Sequence, residues 1–62
     1  MKHTKADRAA ALKNLMREIA ELREISESMD AAKNRGDYVA FSGDAAAFAR
    51  KHARVLKAWN AI

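Results

Sequence analysis

The chain contains no proline and only two glycines in 62 residues, so very little in it can interrupt an α-helix. Half of its residues are nominally hydrophobic, but 15 of these are alanine, which favours helix without filling much of a core. The sequence therefore predicts an all-α protein that is helical over nearly its whole length.

The first helix is predicted to span about residues 5–34. Thr4 and Asp7 have the spacing of an N-terminal capping box, and no helix-breaking residue follows before Gly36. Basic residues just before a glycine are typical of a helix C-terminus, where they face the free carbonyl groups. Residues 1–4 are expected to fray.

The second helix, about residues 37–61, has two possible starting points. Asp37 is a good N-cap, and Ser42-Gly43-Asp44 is another. Apolar residues spaced three and four apart continue without a break through Gly43, which favours the start at Asp37. The seam that they form consists of Tyr38, Phe41, Ala45, Phe48, His52, Val55, Trp59 and Ile62.

The first helix carries a matching stripe, so the chain is predicted to fold back at Arg35-Gly36. The expected neighbours are Leu12 with Trp59, Leu15 with Leu56 and Val55, Ile19 with His52, Leu22 with Phe48, Ile25 with Ala45, Met29 with Phe41, and Ala32 with Tyr38. The sequence therefore predicts a single domain, residues 1–62, folded as an antiparallel two-helix hairpin.

A hairpin this small needs further support, because a 60-residue chain buries only about 60% of the surface that it exposes when unfolded. There is no cysteine for a disulfide, and the two histidines lack the spacing of metal ligands. The stripe on the first helix is also too wide for one partner helix. We therefore expect a homodimer that forms a four-helix bundle. Its core and interface residues are expected to be Leu12, Leu15, Met16, Ile19, Leu22, Ile25, Met29, Phe41, Phe48, His52 and Val55.

Charge is segregated along the chain, whose formal net charge is +4. Residues 1–17 and 38–62 are basic, whereas residues 18–30 carry five acidic side chains and one arginine. In the hairpin both basic blocks meet at the open end, where the chain termini lie. An antiparallel dimer would place each basic block near the partner's acidic block.

The sequence gives no indication of an enzyme, because a chain this short cannot wall off a substrate pocket. We expect no cofactor, no metal, no small-molecule substrate and no membrane partner. The polar N-terminus lacks the features of a targeting segment, so a cytoplasmic location is expected.

The length and predicted architecture resemble those of the small helical-hairpin dimers of plasmids and phages, such as the RNA-binding regulator Rop. This resemblance is one of architecture and implies no particular site residues. It favours an adaptor or inhibitor that binds a larger protein, and a nucleic-acid-binding regulator is the alternative. The expected partner-binding residues are Arg8, Arg50, Lys51, Arg54, Leu56, Lys57 and Trp59.

Overall fold

The computed structural model describes residues 5–62, which form two α-helices joined by a tight turn. Helix α1 spans Lys5–Arg35 and helix α2 spans Tyr38–Asn60. The helices contact each other side by side in a flat rod of 49 × 15 × 8 Å. The prediction of an all-α hairpin is confirmed. The expectations that residues 1–4 fray and that Thr4 caps the first helix lie outside the described residues.

The turn between the helices ends α1 and reverses the chain within two residues. Gly36 has a φ of 72°, a left-handed conformation that side chains disfavour. Its N–H donates to the carbonyl of Lys33 at 3.0 Å, and the Asp37 N–H donates to the carbonyl of Ala32 at 2.9 Å. This is the hydrogen-bond pattern of a Schellman motif, and it supplies partners for two of the last carbonyl groups of α1.

Asp37 then begins the second helix. Its carboxylate Oδ1 accepts a hydrogen bond of 3.0 Å from the Ala40 N–H, which makes Asp37 the N-cap. The helix continues without interruption through Gly43. The start at Asp37 is therefore confirmed over the alternative at Ser42.

The register of the hairpin is fixed by polar contacts between the helices. Ser28 Oγ donates to Asp44 Oδ2 at 2.6 Å, and Lys51 Nζ donates to Glu21 Oε1 at 2.7 Å. These pairs lie at the levels expected for a chain that folds back at Arg35-Gly36. The rotation of α2 differs from the prediction, however, because Asp44 and Lys51 were not among the predicted seam positions.

The predicted seam of α2 is correct at Phe41, Ala45, Phe48 and Val55, which are half-buried, and wrong at Tyr38, His52, Trp59 and Ile62, which are exposed. Tyr38 is 78% exposed, Trp59 is 66% exposed, and His52 is exposed as well. Lys51 and Ala58, each one residue earlier than His52 and Trp59, face α1 instead. Two stripes one residue apart share the same three-and-four spacing, and the polar side chains of α1 select the stripe that carries Lys51.

The buried core is correspondingly thin. Only three apolar residues are fully buried among those described, namely Leu15, Ala32 and Ala58. Six of the expected core residues are half-buried: Leu22, Ile25, Met29, Phe41, Phe48 and Val55. Four others stay exposed in the hairpin, namely His52, Leu12 at 51%, Met16 at 59% and Ile19 at 41%. A pair of helices thus leaves much of its large apolar surface uncovered.

The two glycines make a matched pair for testing the turn. Gly36→Ala should destabilise the protein by about 1 kcal/mol, because alanine strains the left-handed position. Gly43→Ala should stabilise it by about 1 kcal/mol, because a methyl group there meets nothing within 4 Å and alanine favours helix. Urea denaturation would measure both, and equal effects of the same sign would contradict the assigned turn.

Leu15 is the most buried large apolar side chain among the described residues, with an exposure of 4%. Leu15→Ala should lower the free energy of unfolding by about 2–4 kcal/mol, because it removes buried methyl groups and leaves a gap. Val39→Ala is the control, since Val39 is 82% exposed and a surface change there should cost about 0.5 kcal/mol or less. A Leu15→Ala protein as stable as the control would show that the helices pack through another face.

Candidate interaction surfaces

A three-residue ionic cluster lies at the middle of the seam. Lys51 Nζ donates to Glu21 Oε1 at 2.7 Å and to Glu18 Oε2 at 3.0 Å. The Lys51 side chain is only 15% exposed and that of Glu18 only 11%. Arg17 approaches the other oxygen of Glu18 at 3.8 Å. The cluster thus places the buried Glu18 carboxylate against cationic partners, which offsets the cost of withdrawing it from water, whereas the Glu21 side chain stays 44% exposed.

The cluster shifts the acid–base behaviour of its members. The hydrogen bond from Lys51 holds the pKa of Glu21 below its ordinary value of 4.5. The hydrogen bonds to Glu21 and Glu18 raise the pKa of Lys51 above its ordinary value of 10.5. Lys51 thus lies in the seam with its ammonium group paired to Glu18 and Glu21, and its expected contact with a partner stays a prediction.

The orientation of each helix about its own axis gives the hairpin two different broad faces. Each residue turns a helix by about 100°, so the residue after a seam position points to one side of the seam. The helices run antiparallel, and for that reason this side is the same on α1 and α2. The residues that precede seam positions point to the opposite side on both helices.

One side, which we call the apolar face, is formed by residues that follow seam positions. It carries five large hydrophobic side chains and one histidine, namely Leu12, Met16, Ile19, His52, Leu56 and Trp59. Leu56 is 50% exposed and Trp59 is 66% exposed. The His52 ring stacks on Phe48 with centroids 6.2 Å apart. These side chains lie in the half of the hairpin nearest the open end, so they form one concentrated patch.

The opposite side, which we call the polar face, carries Asn14, Arg17, Glu21, Arg50, Arg54 and Lys57. Asn14, Arg54 and Lys57 line one shallow groove beside Ala58. Arg17 and Arg54 both lie near enough to Glu21 to help lower its pKa. The groove is therefore cationic, with Glu18 at its base and Glu21 as the acidic member of the face.

The structure separates the residues that were expected to bind a partner together. Arg50, Arg54 and Lys57 belong to the polar face, whereas Leu56 and Trp59 belong to the apolar face. Arg8 lies apart from both groups, exposed on α1 one turn before Leu12. The predicted hot spot of apolar and basic side chains is thus divided into an apolar surface and a cationic one.

Sequence reasoning missed the polar residues of the seam. Glu18 and Asp44 stand at positions that the apolar spacing had assigned to solvent. A usable signal was present, because Glu18, Glu21 and Lys51 lie at matching levels of the predicted hairpin. Their opposite charges could have indicated a pairing across the seam.

Two kinds of site have no counterpart in the described part of the chain. Among residues 5–62, no group of His, Asp and Glu side chains is placed to hold a metal ion. Neither described helix is long and apolar enough to cross a membrane. No family model, curated protein or solved structure matches this chain. The apolar and polar faces are therefore the surfaces on which a function has to be argued.

The ionic cluster predicts how stability depends on pH. The lowered pKa of Glu21 means that its contribution is complete above pH 4.5 and is lost as the pH falls through the lowered value. The raised pKa of Lys51 means that its contribution is complete below pH 10.5 and is lost as the pH rises through the raised value. Melting temperatures followed by circular dichroism should therefore fall at both extremes.

Lys51→Met provides the control for this pH dependence. It leaves Glu18 and Glu21 without their ammonium partner, so it should lower the melting temperature near neutral pH. Acidification should then lower the melting temperature of the variant less than that of the parent, because protonation removes the repulsion between the two adjacent carboxylates. Parallel pH profiles for parent and variant would contradict the role given to the cluster.

Proposed function

We propose that this chain is a non-enzymatic interaction protein, which dimerises into a four-helix bundle and, as a dimer, binds and modulates a larger protein. The observation that carries the association of two copies is the apolar face, where five large side chains are between 41% and 66% exposed on one side of the hairpin. Concentrated apolar surface of this kind marks a site of protein association.

Dimerisation is supported by the thinness of the hairpin core. Two helices bury few large side chains completely, and a small domain with so little buried surface gains stability by association. Covering Leu12, Met16 and Ile19 would add large apolar residues to the interior that Leu15 begins. A four-helix bundle covers such residues by the usual packing of helix pairs.

The polar face is the surface that such a dimer leaves for a target. Arg54 and Lys57 line its groove, and Arg17 lies beside them. Arginine is the cation best suited to bind carboxylates, because its planar group donates two parallel hydrogen bonds. The target that this face fits best is therefore an acidic surface of a larger protein.

A nucleic acid is the second candidate for the same face. A groove lined by Arg54 and Lys57 favours phosphate binding, which would make this a regulator of RNA or DNA. Two features weigh against it. Lys51 is withdrawn into the seam, and Glu21 lies among the basic residues. A salt series separates the candidates, since phosphate contacts make the affinity fall steeply as salt rises.

The target proposal predicts which charges matter. A double variant with Arg54→Glu and Lys57→Glu should lose capture of the target from a lysate, because it turns the groove acidic. Pull-down with the tagged full chain, with and without nuclease, would measure the loss. Target capture that survives nuclease identifies a protein, and capture that nuclease abolishes identifies a nucleic acid.

The matched control reverses two basic residues near the turn, with Lys33→Glu and Arg35→Glu. It makes the same change in net charge on the exposed end of α1 and should keep the target. The turn variant also removes the 3.7 Å ion pair between Arg35 and Asp37, so circular dichroism and sedimentation equilibrium should first show that both variants keep their helicity and their dimer. If the turn variant loses the target and the groove variant keeps it, the proposed target surface is wrong.

A further inference from the structure

The apolar face is uncovered in the hairpin, and its position limits what can cover it. Leu12, Met16 and Ile19 project from α1, and Leu56 and Trp59 project at the same levels from α2. The face is therefore two helices wide. A surface of this shape is matched by another pair of helices, which is what a second copy of the chain presents.

The five exposed side chains of the apolar face supply more than half of the area that self-association requires. A stable interface removes roughly 800 Å² from each partner. Five large side chains that are about half exposed supply on the order of 500 Å² of this area. Neighbouring alanines, such as Ala9 and Ala49, are exposed and extend the surface without obstructing close approach. The apolar patch can thus supply the centre of a dimer interface.

Charge selects the direction in which two copies meet. If they were parallel, the basic blocks of both copies would come together at one end. If they are antiparallel and centred on the patch, the basic first turns of α1 lie over the acidic block of the second copy. That block, residues 18–30, contains five acidic residues against Arg23, and Arg23 is itself 4.0 Å from Glu27.

We propose that the second copy occupies the apolar face in an antiparallel arrangement, with a two-fold axis near Met16 and α1 packed over α1 of the second copy. This inference rests on the proposed function, to which it adds the surface and the orientation of the dimer. The polar face of each copy then points away from the interface. The dimer presents two cationic grooves on opposite sides.

The arrangement fixes distances that a cross-linking experiment can read. Met16 lies near its own counterpart, and Lys5 lies near Glu27 of the second copy. In a parallel dimer these last two positions would be separated by about 33 Å, because they are 22 residues apart along helices with a rise of 1.5 Å per residue. The chain has no cysteine, so single substitutions introduce unique thiols.

The first test compares one glutamate on each face of α1. Met16→Glu should weaken self-association by about tenfold or more, as measured by sedimentation equilibrium, because it buries an unpaired charge in the interface. Asn14→Glu on the polar face is the matched control and should leave the dimer intact. Met16 is 59% exposed in the hairpin, so the helicity of the variant should survive at high protein concentration. Equal dimerisation of the two variants overturns the inference.

The second test reads the orientation in otherwise unchanged protein. Met16→Cys should form a disulfide-linked dimer under mild oxidation, whereas Asn14→Cys should not. A mixture of Lys5→Cys and Glu27→Cys proteins, one of them tagged, should give the mixed disulfide. Cross-linking of Asn14→Cys in place of Met16→Cys, or failure of the mixed pair, overturns the arrangement.

The outcomes separate this inference from the proposed function. A parent protein that is monomeric at tens of micromolar, with a melting temperature independent of concentration, overturns the dimer altogether. A monomer that still captures its target through Arg54 and Lys57 would retain the target half of the proposal. A dimer with the expected cross-links that captures no target would sustain the inference and remove the target half.

Discussion

The rotation of α2 about its own axis depends on one ammonium group. Lys51 reaches both Glu18 and Glu21, and these contacts bring the side of α2 that carries Lys51 against α1. The Glu18 carboxylate is withdrawn from water and would be costly without a cation, so a rotation that removed Lys51 from the seam would be penalised. The same rotation carries Leu56 and Trp59 out of the seam and onto an open face. A polar contact in the interior thus determines where the apolar surface of the protein lies.

Much of the fold could be predicted because it depends on local chemistry. The scarcity of helix breakers, the glycine at position 36 and the cap at Asp37 each act within a few residues, and together they define two helices and a turn. The register followed from the shortness of the turn. The choice between two stripes one residue apart did not follow, because the apolar spacing favoured the stripe of Phe48 and Trp59 over the one that carries Lys51. It depends on pairing between Lys51 and Glu18 across the seam.

The sequence predicted which residues lie at the open end better than it predicted which of them share a face. Trp59, Leu56, Arg54 and Lys57 were all expected at the open end, and they do lie there. A shift of one residue in the seam moves neighbouring side chains by about 100°, which is enough to place the tryptophan and the arginine on opposite faces. Whether two residues share a surface is therefore a finer property than whether they share an end. To predict it, one must know how each helix is rotated about its own axis as well as where the helix begins and ends.

The two-residue turn also holds the two helices together at one end of the hairpin, whereas no covalent connection holds them together at the open end. Contacts near Ala32 and Asp37 close a short loop, whereas contacts at Leu15 and Ala58 close a long one and cost more chain entropy. Separation of the helices therefore begins at the open end and proceeds towards the turn. The apolar face lies on the half that opens first. A molecule that binds across both helices there keeps them from separating. Binding at this surface and folding of the chain are therefore linked equilibria.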